Sequence, residues 1–238
     1  MEKTVSEAIV YRRSVRKFDP NKEIDVNIVK KCIKNGVLAP TSSNLQLWEF
    51  YHITNEDLLK KISKICFNQP AASTAKQIVI TVVRKDLWKL RSNQNIEFFN
   101  LNKKELSKKQ YDSTQKYYKT VIPIVYRDFL GILSIFKYII TNILGYFRVM
   151  YRQVKASDTR IVAHKSAALA SQNFMISMAG FGYDTCPMEG FDSLKIKHLL
   201  KLNKNSEINM IIGCGIRLEE GVYGERFRIP FEEVYFEK

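Results

Sequence analysis

Two arginine-rich segments carry the residue types that bind anions. Near the start of the chain, the run RRSVR combines three arginines with one hydroxyl side chain. These residues are Arg12, Arg13, Ser14 and Arg16. Near the end, Arg226 and Arg228 are two residues apart just before Pro230, so an extended backbone turns both to the same side. Arginine and hydroxyl groups bind phosphate well, although RRSVR on its own also fits solvated arginines at a helix end.

Three polar turns could add further ligand contacts. They are the segments LAPTSSN, CFNQP and PMEGF, and their candidate residues are Pro40, Thr41, Ser42, Asn44, Asn68, Pro187, Met188, Glu189 and Gly190. Glycine at the last position permits a close approach of the backbone to a ligand. Ordinary turn chemistry explains the first two segments equally well. The third is also a strand–turn–helix connection that Asp192 can cap, and this role is compatible with ligand binding.

Hydrophobic patterns predict the elements that position these turns. The β-branched run QIVITVV (77–83) predicts a buried strand, and WEFYHIT, GYDTCPM and INMIIGCGI predict three more. Asp25 is placed to cap a helix that Pro40 stops, and TNED, beginning at Thr54, resembles a capping box. An alanine-rich helix from about 158 to 179 is expected to pack closely against another helix.

Composition points to one globular domain spanning residues 1–238. Hydrophobic residues make up 45% of the 238 residues and charged residues 26%, and we find no repeat or Gly/Ser linker. The four cysteines form no CxxC pair and the three histidines have no metal-binding spacing, so we expect neither zinc nor disulfides. Scattered thiols and a start without an apolar signal core predict a cytoplasmic protein.

The formal net charge of +14 allows three interpretations. It can reflect a solvated lysine-rich surface, attraction to nucleic acid or an anionic membrane, or a site for an anionic ligand. The lysines are dispersed in pairs and no nucleic-acid motif is present, so we favour the solvated surface and expect no nucleic-acid partner.

One apolar segment stands out between residues 121 and 150. The stretch LGILSIFKYIITNILGYF (130–147) has a single charge, Lys137, and 18 residues, which is the lower limit for a membrane-spanning helix. We expect instead a pair of amphipathic helices that bury their apolar faces against the core or a partner subunit. A helix lying on a membrane surface, with Lys137 and Arg148 directed toward headgroups, is the further alternative.

Four segments, in this order, resemble the nitroreductase family of FMN-dependent flavoproteins. They are YRRSVRKFDP (11–20), LAPTSSNLQLWEF (38–50), TCPMEGFD (185–192) and GERFRIPFEEV (224–234). The resemblance implies an α+β fold, a three-layer α/β/α sandwich with a mixed, mostly antiparallel sheet, in an intertwined homodimer. It also implies a variable helical lid at about residues 93–152.

The resemblance assigns roles to the candidate residues. It places Arg12, Ser14, Arg226 and Arg228 on the FMN phosphate, beside Arg13, and Arg16 next to N1 and O2 of the ring. It directs the N–H groups of Glu189 and Gly190, in the turn with Pro187 and Met188, to N5 and O4. It brings Thr41, Ser42 and Asn44, after Pro40, to the partner subunit's flavin, and Asn68 to the pyrimidine edge. Two departures are Leu47, where the family often has proline, and Ala71, where it often has lysine.

The function implied is an oxidoreductase that uses NADH or NADPH as a transient electron donor. A nitroaromatic, quinone or similar conjugated acceptor would follow the donor into one pocket, giving ping-pong kinetics. No GxGxxG follows a strand, so no nicotinamide-binding Rossmann domain is expected. Two alternatives are a specialised relative that performs dehalogenation or flavin fragmentation, and a binding protein for membranes or nucleic acid.

Overall fold

A four-stranded sheet in the order β1-β2-β4-β3 forms the centre of the computed structural model, which describes residues 2–127 and 132–238. The strands are β1 (Trp48–Ile53), β2 (Gln77–Val83), β3 (Asp184–Met188) and β4 (Glu207–Gly215). Each neighbouring pair is antiparallel. An isolated parallel bridge between Ser14 and Thr185 makes the arrangement mixed and mostly antiparallel, as predicted.

Ten α-helices accompany the sheet in the described residues. They are α1 (Val5–Tyr11), α2 (Val26–Gly36), α3 (Glu56–Ile65), α4 (Pro70–Ser73), α5 (Trp88–Leu101), α6 (Lys108–Lys116), α7 (Ile122–Tyr126), α8 (Ile132–Leu144), α9 (Ala156–Gly180) and α10 (Ser193–Leu199). A π-helical turn, Tyr117–Val121, joins α6 to α7, and a 3-10 turn, Ser42–Asn44, precedes β1.

Helices cover both faces of the sheet, so the three-layer prediction is confirmed. Along β2, Ile78 and Ile80 join a buried cluster with Ile196 of α10, whereas Val79 joins the opposite cluster with Phe174 of α9. This alternation follows from the two-residue repeat of a strand. Every residue of β2 is buried, as its β-branched sequence predicts.

The predicted helix ends and helix contacts are largely confirmed. Asp25 caps α2 by accepting a hydrogen bond from the Asn27 N–H at 2.7 Å. A Cβ added at Gly36 of α2 would stand 3.0 Å from the Ala170 carbonyl oxygen, so α2 and α9 pack closely. The capping box at Thr54 was wrong, because Asn55 caps α3 through the Leu58 N–H.

The apolar segment forms helices, but α8 does not bury its apolar face against the core. Ile122 of α7 is 2% exposed, whereas Ile135 and Phe136 of α8 are each 59% exposed. The expectation of core burial is therefore wrong for α8, and burial against a partner subunit stays a prediction. Residues 128–131 lie outside the described part. Among the described helices, none has the length and apolarity needed to cross a membrane.

Candidate functional site

The segment after α1 runs alongside β3 and the C-terminal region. Ser14 bridges Thr185, and the Val15 N–H donates to the Thr185 carbonyl at 3.1 Å. The Arg16 N–H donates to the Gly221 carbonyl at 2.7 Å. Val15 is fully buried, so its extended backbone directs Ser14 and Arg16 to the opposite side. These contacts join RRSVR to the strand that carries TCPMEG.

A cationic pocket of about 260 Å³ opens at this junction. Both arginine-rich segments line it, through Arg12, Arg13, Ser14, Arg16, Arg226 and Arg228. Glu225 is also in the lining, yet none of these five arginines forms an ion pair with a carboxylate of the described residues. The structure thus brings together two segments more than 200 residues apart in sequence, and no ion pair within the described residues compensates their positive charge.

Arg12 lies in an unfavourable environment for its positive charge. Burial, followed by repulsion from Arg226, Arg228 and Arg13, lowers the pKa of its guanidinium from the usual value. A phosphate group would offset this repulsion through charge-assisted hydrogen bonds. Whole-ligand sites typically measure about 300–1,000 Å³, so the cationic pocket fits the anionic end of a longer ligand.

Hydrogen bonds divide the arginines into anchored and available groups. Arg226 Nη2 donates to the carbonyl oxygens of Val10 at 2.7 Å and Arg12 at 2.6 Å, which ties the C-terminal segment to α1. Arg13 Nη2 likewise donates to the Gly224 carbonyl at 2.9 Å. The side chains of Arg12 and Arg16 donate to no acceptor among the described residues, so both are available to an anion in the cationic pocket.

The turn after β3 presents two backbone donors. Glu189 and Gly190 are exposed, and their N–H groups find no acceptor in the described parts of the chain. Gln69 holds this turn, because its Nε2 donates to the Gly190 carbonyl at 2.8 Å and to the Cys66 carbonyl at 3.2 Å. Pro187 and Met188 precede the turn and belong to β3, paired with β4. The sequence analysis did not identify Gln69; its position next to Asn68 was the available signal.

Asn68 precedes Gln69 in the connection between α3 and α4. Its backbone is left-handed, with φ of 50°, and its N–H donates to the Ser63 carbonyl at 2.9 Å. Ala71, where the resemblance leads one to expect lysine, is 1% exposed in α4. A Cβ added at Gly213 of β4 would stand 2.4 Å from the Ala71 carbonyl oxygen. Because α4 is pressed onto β4, a lysine at position 71 would be buried.

The loop after Pro40 belongs to a different region of the molecule. The Ser42 N–H donates to Ser166 Oγ of α9 at 3.3 Å, and Asn44 Nδ2 donates to Asn95 Oδ1 of α5 at 2.8 Å. Thr41 accepts from the Gln46 N–H. None of these residues hydrogen-bonds to the cationic pocket. The structure therefore does not bring this loop to the cationic pocket of the same chain.

A buried ion pair stabilises the region where the segment after α1 meets β3. This pair was not predicted from the sequence. Asp184 is 2% exposed and accepts hydrogen bonds from the Arg217 backbone N–H and Nε, both at 2.8 Å. Arg217 Nη2 also donates to the Tyr11 carbonyl at 3.1 Å, and its guanidinium lies 4.3 Å from the Tyr11 ring centre. The sequence offered two signals for this pair. One is an acidic residue at the start of a buried strand, and the other is an arginine just after the end of the next strand.

The thiols lie inside the fold and give no sign of nucleophilic activation. All four cysteines are free and buried. Burial raises the pKa of Cys66 to about 11, and it raises the pKa of Cys186 despite the opposing effects of Arg16 and Arg12. Among residues 2–127 and 132–238, no group of three or more His, Cys, Asp or Glu side chains could hold a metal ion.

Comparison with known proteins gives a consistent result. The model of the nitroreductase family matches residues 9–216. Protein DrgA of Synechocystis is 26% identical over 224 residues, covering 94% of this chain and 89% of its own length. A Staphylococcus haemolyticus protein, provisionally named NAD(P)H nitroreductase SH0546, is 27% identical over 240 residues, covering 98% of this chain and 97% of its own length.

Solved structures show the same fold. A provisionally named nitroreductase of Bacillus subtilis, ydfN, superposes with a TM-score of 0.74 at 21% identity, covering 98% of both chains. A provisionally named nitroreductase of Exiguobacterium sibiricum, solved in complex with FMN, has a TM-score of 0.69 at 20% identity, covering 99% of this chain and 98% of that one.

Proposed function

The chain belongs to the nitroreductase family, whose model matches residues 9–216, and from this premise we propose that it is an FMN-dependent oxidoreductase. Hydride passes from NADH or NADPH to a nitroaromatic, a quinone or a similar conjugated acceptor. The observation that carries the proposal is the cationic pocket, where Arg12 and Arg228 meet and neither pairs with a carboxylate of the described residues. The name of the Staphylococcus haemolyticus relative and the FMN in the Exiguobacterium structure support the choice of cofactor and donor.

The chain's own residues bind and orient the cofactor. Bound FMN would supply the hydride-transfer chemistry that links the two substrates. Arg12, Ser14 and Arg228 bind the phosphate, with Arg13 and Arg226 holding the segments in place. The N–H groups of Glu189 and Gly190 donate to the ring edge, and Arg16 places positive charge near it. Fixed donors and charge of this kind would stabilise negative charge on the ring.

The loop containing Thr41, Ser42 and Asn44 has its role in a homodimer. In the described chain it makes no hydrogen bond to the cationic pocket, which supports the proposal that it reaches the partner subunit's cofactor. The C-terminal tail also fits such an arrangement, since Phe231 and Phe236 are 63% and 73% exposed. The helices within residues 93–152 then act as a lid on a single domain of residues 1–238.

One pocket serves both substrates in turn, so we expect ping-pong kinetics. The nicotinamide leaves before the acceptor binds, and no side chain is required as an acid or base. Four buried thiols support a reducing, cytoplasmic location.

An absorption spectrum of the purified protein, repeated anaerobically after NADH or NADPH, tests the proposal. Flavin bands that bleach on adding the nicotinamide support it. Bound flavin that does not bleach would indicate a specialised relative with another reaction. Failure to bind added FMN would overturn the proposal.

A further inference from the structure

Helix α8 exposes a continuous apolar face to solvent. Six large side chains on this face are each 48–59% exposed: Ile132, Ile135, Phe136, Ile139, Ile140 and Ile143. Their spacing of three and four residues places them along one side of the helix. Tyr146, Phe147 and Val149 follow directly and are 86%, 83% and 102% exposed. We call these nine residues the α8 apolar face.

The polar side of α8 holds the helix to the rest of the protein. Lys137 Nζ donates to the carbonyl oxygens of Arg127 and of Val125, the latter at 3.4 Å. The Lys155 ammonium lies 3.8 Å from the centre of the Tyr138 ring. A surface helix normally turns its apolar side to the core, so α8 has the reverse orientation.

Arg152 fixes the end of the same helix. Its Nη1 donates to Asn142 Oδ1 and its Nη2 to the Gly145 carbonyl, both at 2.9 Å. Polar contacts in the middle of α8 and at its C-terminal end thus hold the apolar face outward. A patch of this extent in water marks an interaction surface.

The charges around the face identify the occupant. Residues 129–157 contain four basic residues and no acidic one. The basic residues are Lys137, Arg148, Arg152 and Lys155. Three of them, Lys137, Arg152 and Lys155, hold the helix from its polar side, which is where a helix lying in a membrane interface carries its cations. An anionic lipid surface offers both complementary charge and an apolar interior.

The length of α8 determines how it would meet a bilayer. Thirteen residues span about 20 Å, which is shorter than the roughly 30 Å hydrocarbon core. We propose that the α8 apolar face docks the protein flat on the surface of an anionic bilayer, with its aromatic end in the headgroup region. This inference stands independently of the proposed redox function.

Vesicle flotation tests the inference with the full-length protein. We expect the protein to float with phosphatidylcholine vesicles that contain phosphatidylglycerol, and to remain largely unbound with phosphatidylcholine alone. Added salt should weaken the binding. The double variant Phe136→Glu/Ile140→Glu should reduce the partition coefficient by about tenfold or more, since each substitution replaces an apolar contact with a charge.

A matched control replaces two exposed apolar side chains on another helix. Phe98 and Leu101 of α5 are 59% and 80% exposed, so Phe98→Glu/Leu101→Glu makes an equal change of charge outside the α8 apolar face. This control should float as the unmodified protein does. A Phe147→Trp variant should shift its fluorescence to shorter wavelength when anionic vesicles are added.

Three results would overturn the inference. These are no flotation of the unmodified protein, equal flotation of the α8 double variant, or equal binding to neutral and anionic vesicles. Sedimentation showing that the α8 double variant loses an oligomer, without vesicle binding by either protein, would assign the face to a second copy of the chain instead.

Discussion

Gln69 Nε2 donates a hydrogen bond to the Gly190 carbonyl at 2.8 Å and thereby connects the end of α3 to the turn after β3. The same amide donates to the Cys66 carbonyl, so one side chain fixes both segments. The exposed N–H groups of Glu189 and Gly190, which we assign to the flavin ring, depend on this connection for their position.

Replacing Gln69 should loosen the turn without unfolding the protein. In Gln69→Ala we expect FMN binding to weaken by up to about tenfold, because one neutral hydrogen bond contributes about 0.5–1.5 kcal/mol. Gln69→Glu keeps the size but loses the donor, so it should behave in the same way. FMN titration and the rate of reduction by NADH at saturating FMN provide the measurements. Unchanged values in both variants would remove Gln69 from the site.

Arg12 should dominate phosphate binding. Arg12→Ala should raise the FMN dissociation constant by about 10- to 100-fold, since a charge-assisted hydrogen bond contributes about 1.5–3 kcal/mol. Arg148→Ala, which removes an equal charge at a residue that does not line the cationic pocket, should leave the dissociation constant unchanged. FMN fluorescence quenching measures both. Full flavin occupancy in Arg12→Ala/Arg228→Ala would contradict the phosphate assignment.

Local sequence signals predicted the strands and most helix ends well. The run from Gln77 to Val83 became β2 with the same bounds, because β-branched residues favour a buried strand wherever it pairs. Asp25 was also recognised as a cap, since capping involves residues adjacent in sequence. At α3 the cap moved by one residue, from Thr54 to Asn55, which is the usual limit of such patterns.

Contacts between residues far apart in the sequence were harder to predict. Helical periodicity shows that α8 has an apolar face. It does not show whether the helix contacts the rest of the protein through that face or through Lys137 and Arg152 on the other side. The pairing of Asp184 with Arg217 depends on the antiparallel register of β3 and β4. The convergence of Arg12 with Arg228 came from the family resemblance rather than from the residues alone.

The Asp184–Arg217 pair should be important for stability. Asp184→Ala leaves the Arg217 guanidinium unpaired beside the Tyr11 ring, and we expect it to lower the free energy of unfolding by about 2–4 kcal/mol. Arg217→Ala should have a similar effect, because it leaves a buried carboxylate. The double variant should cost less than the sum, since neither charge is then uncompensated. Urea unfolding of the four proteins gives the coupling energy; additive losses would show that the pair is not coupled.

His52 should make stability depend on pH. Burial lowers the pKa of His52, and Lys30 acts in the same direction, while the hydrogen bond to Gln77 opposes them. Gln77 Nε2 donates to the Ile24 carbonyl, so its Oε1 faces His52 Nε2 at 2.7 Å and that nitrogen carries the proton. The unfolded-state pKa is about 6.5. The fold therefore favours the neutral ring. This contribution to stability is fully present above about pH 6.5 and is lost as pH falls below that value and through the lower pKa of the folded state.

Substitution of His52 isolates this contribution. His52→Gln should flatten the fall of the unfolding free energy on acidification relative to the unmodified protein. NMR titration of the His52 ring should give a pKa below about 6.5. A higher value would reverse the sign of the effect.

A substitution at Gly221 tests whether the backbone contact between RRSVR and the C-terminal segment positions the cationic pocket. Its carbonyl accepts from the Arg16 N–H, and a Cβ added to it would stand 2.4 Å from the Lys17 carbonyl oxygen. Gly221→Ala should therefore push the C-terminal segment away from RRSVR. We expect a loss of about 1–3 kcal/mol in unfolding free energy, typical of overpacking, together with weaker FMN binding. Gly180→Ala is the matched control, because nothing lies within 4 Å of its added Cβ. If Gly221→Ala bound FMN as tightly as this control, the junction would not determine the geometry of the cationic pocket.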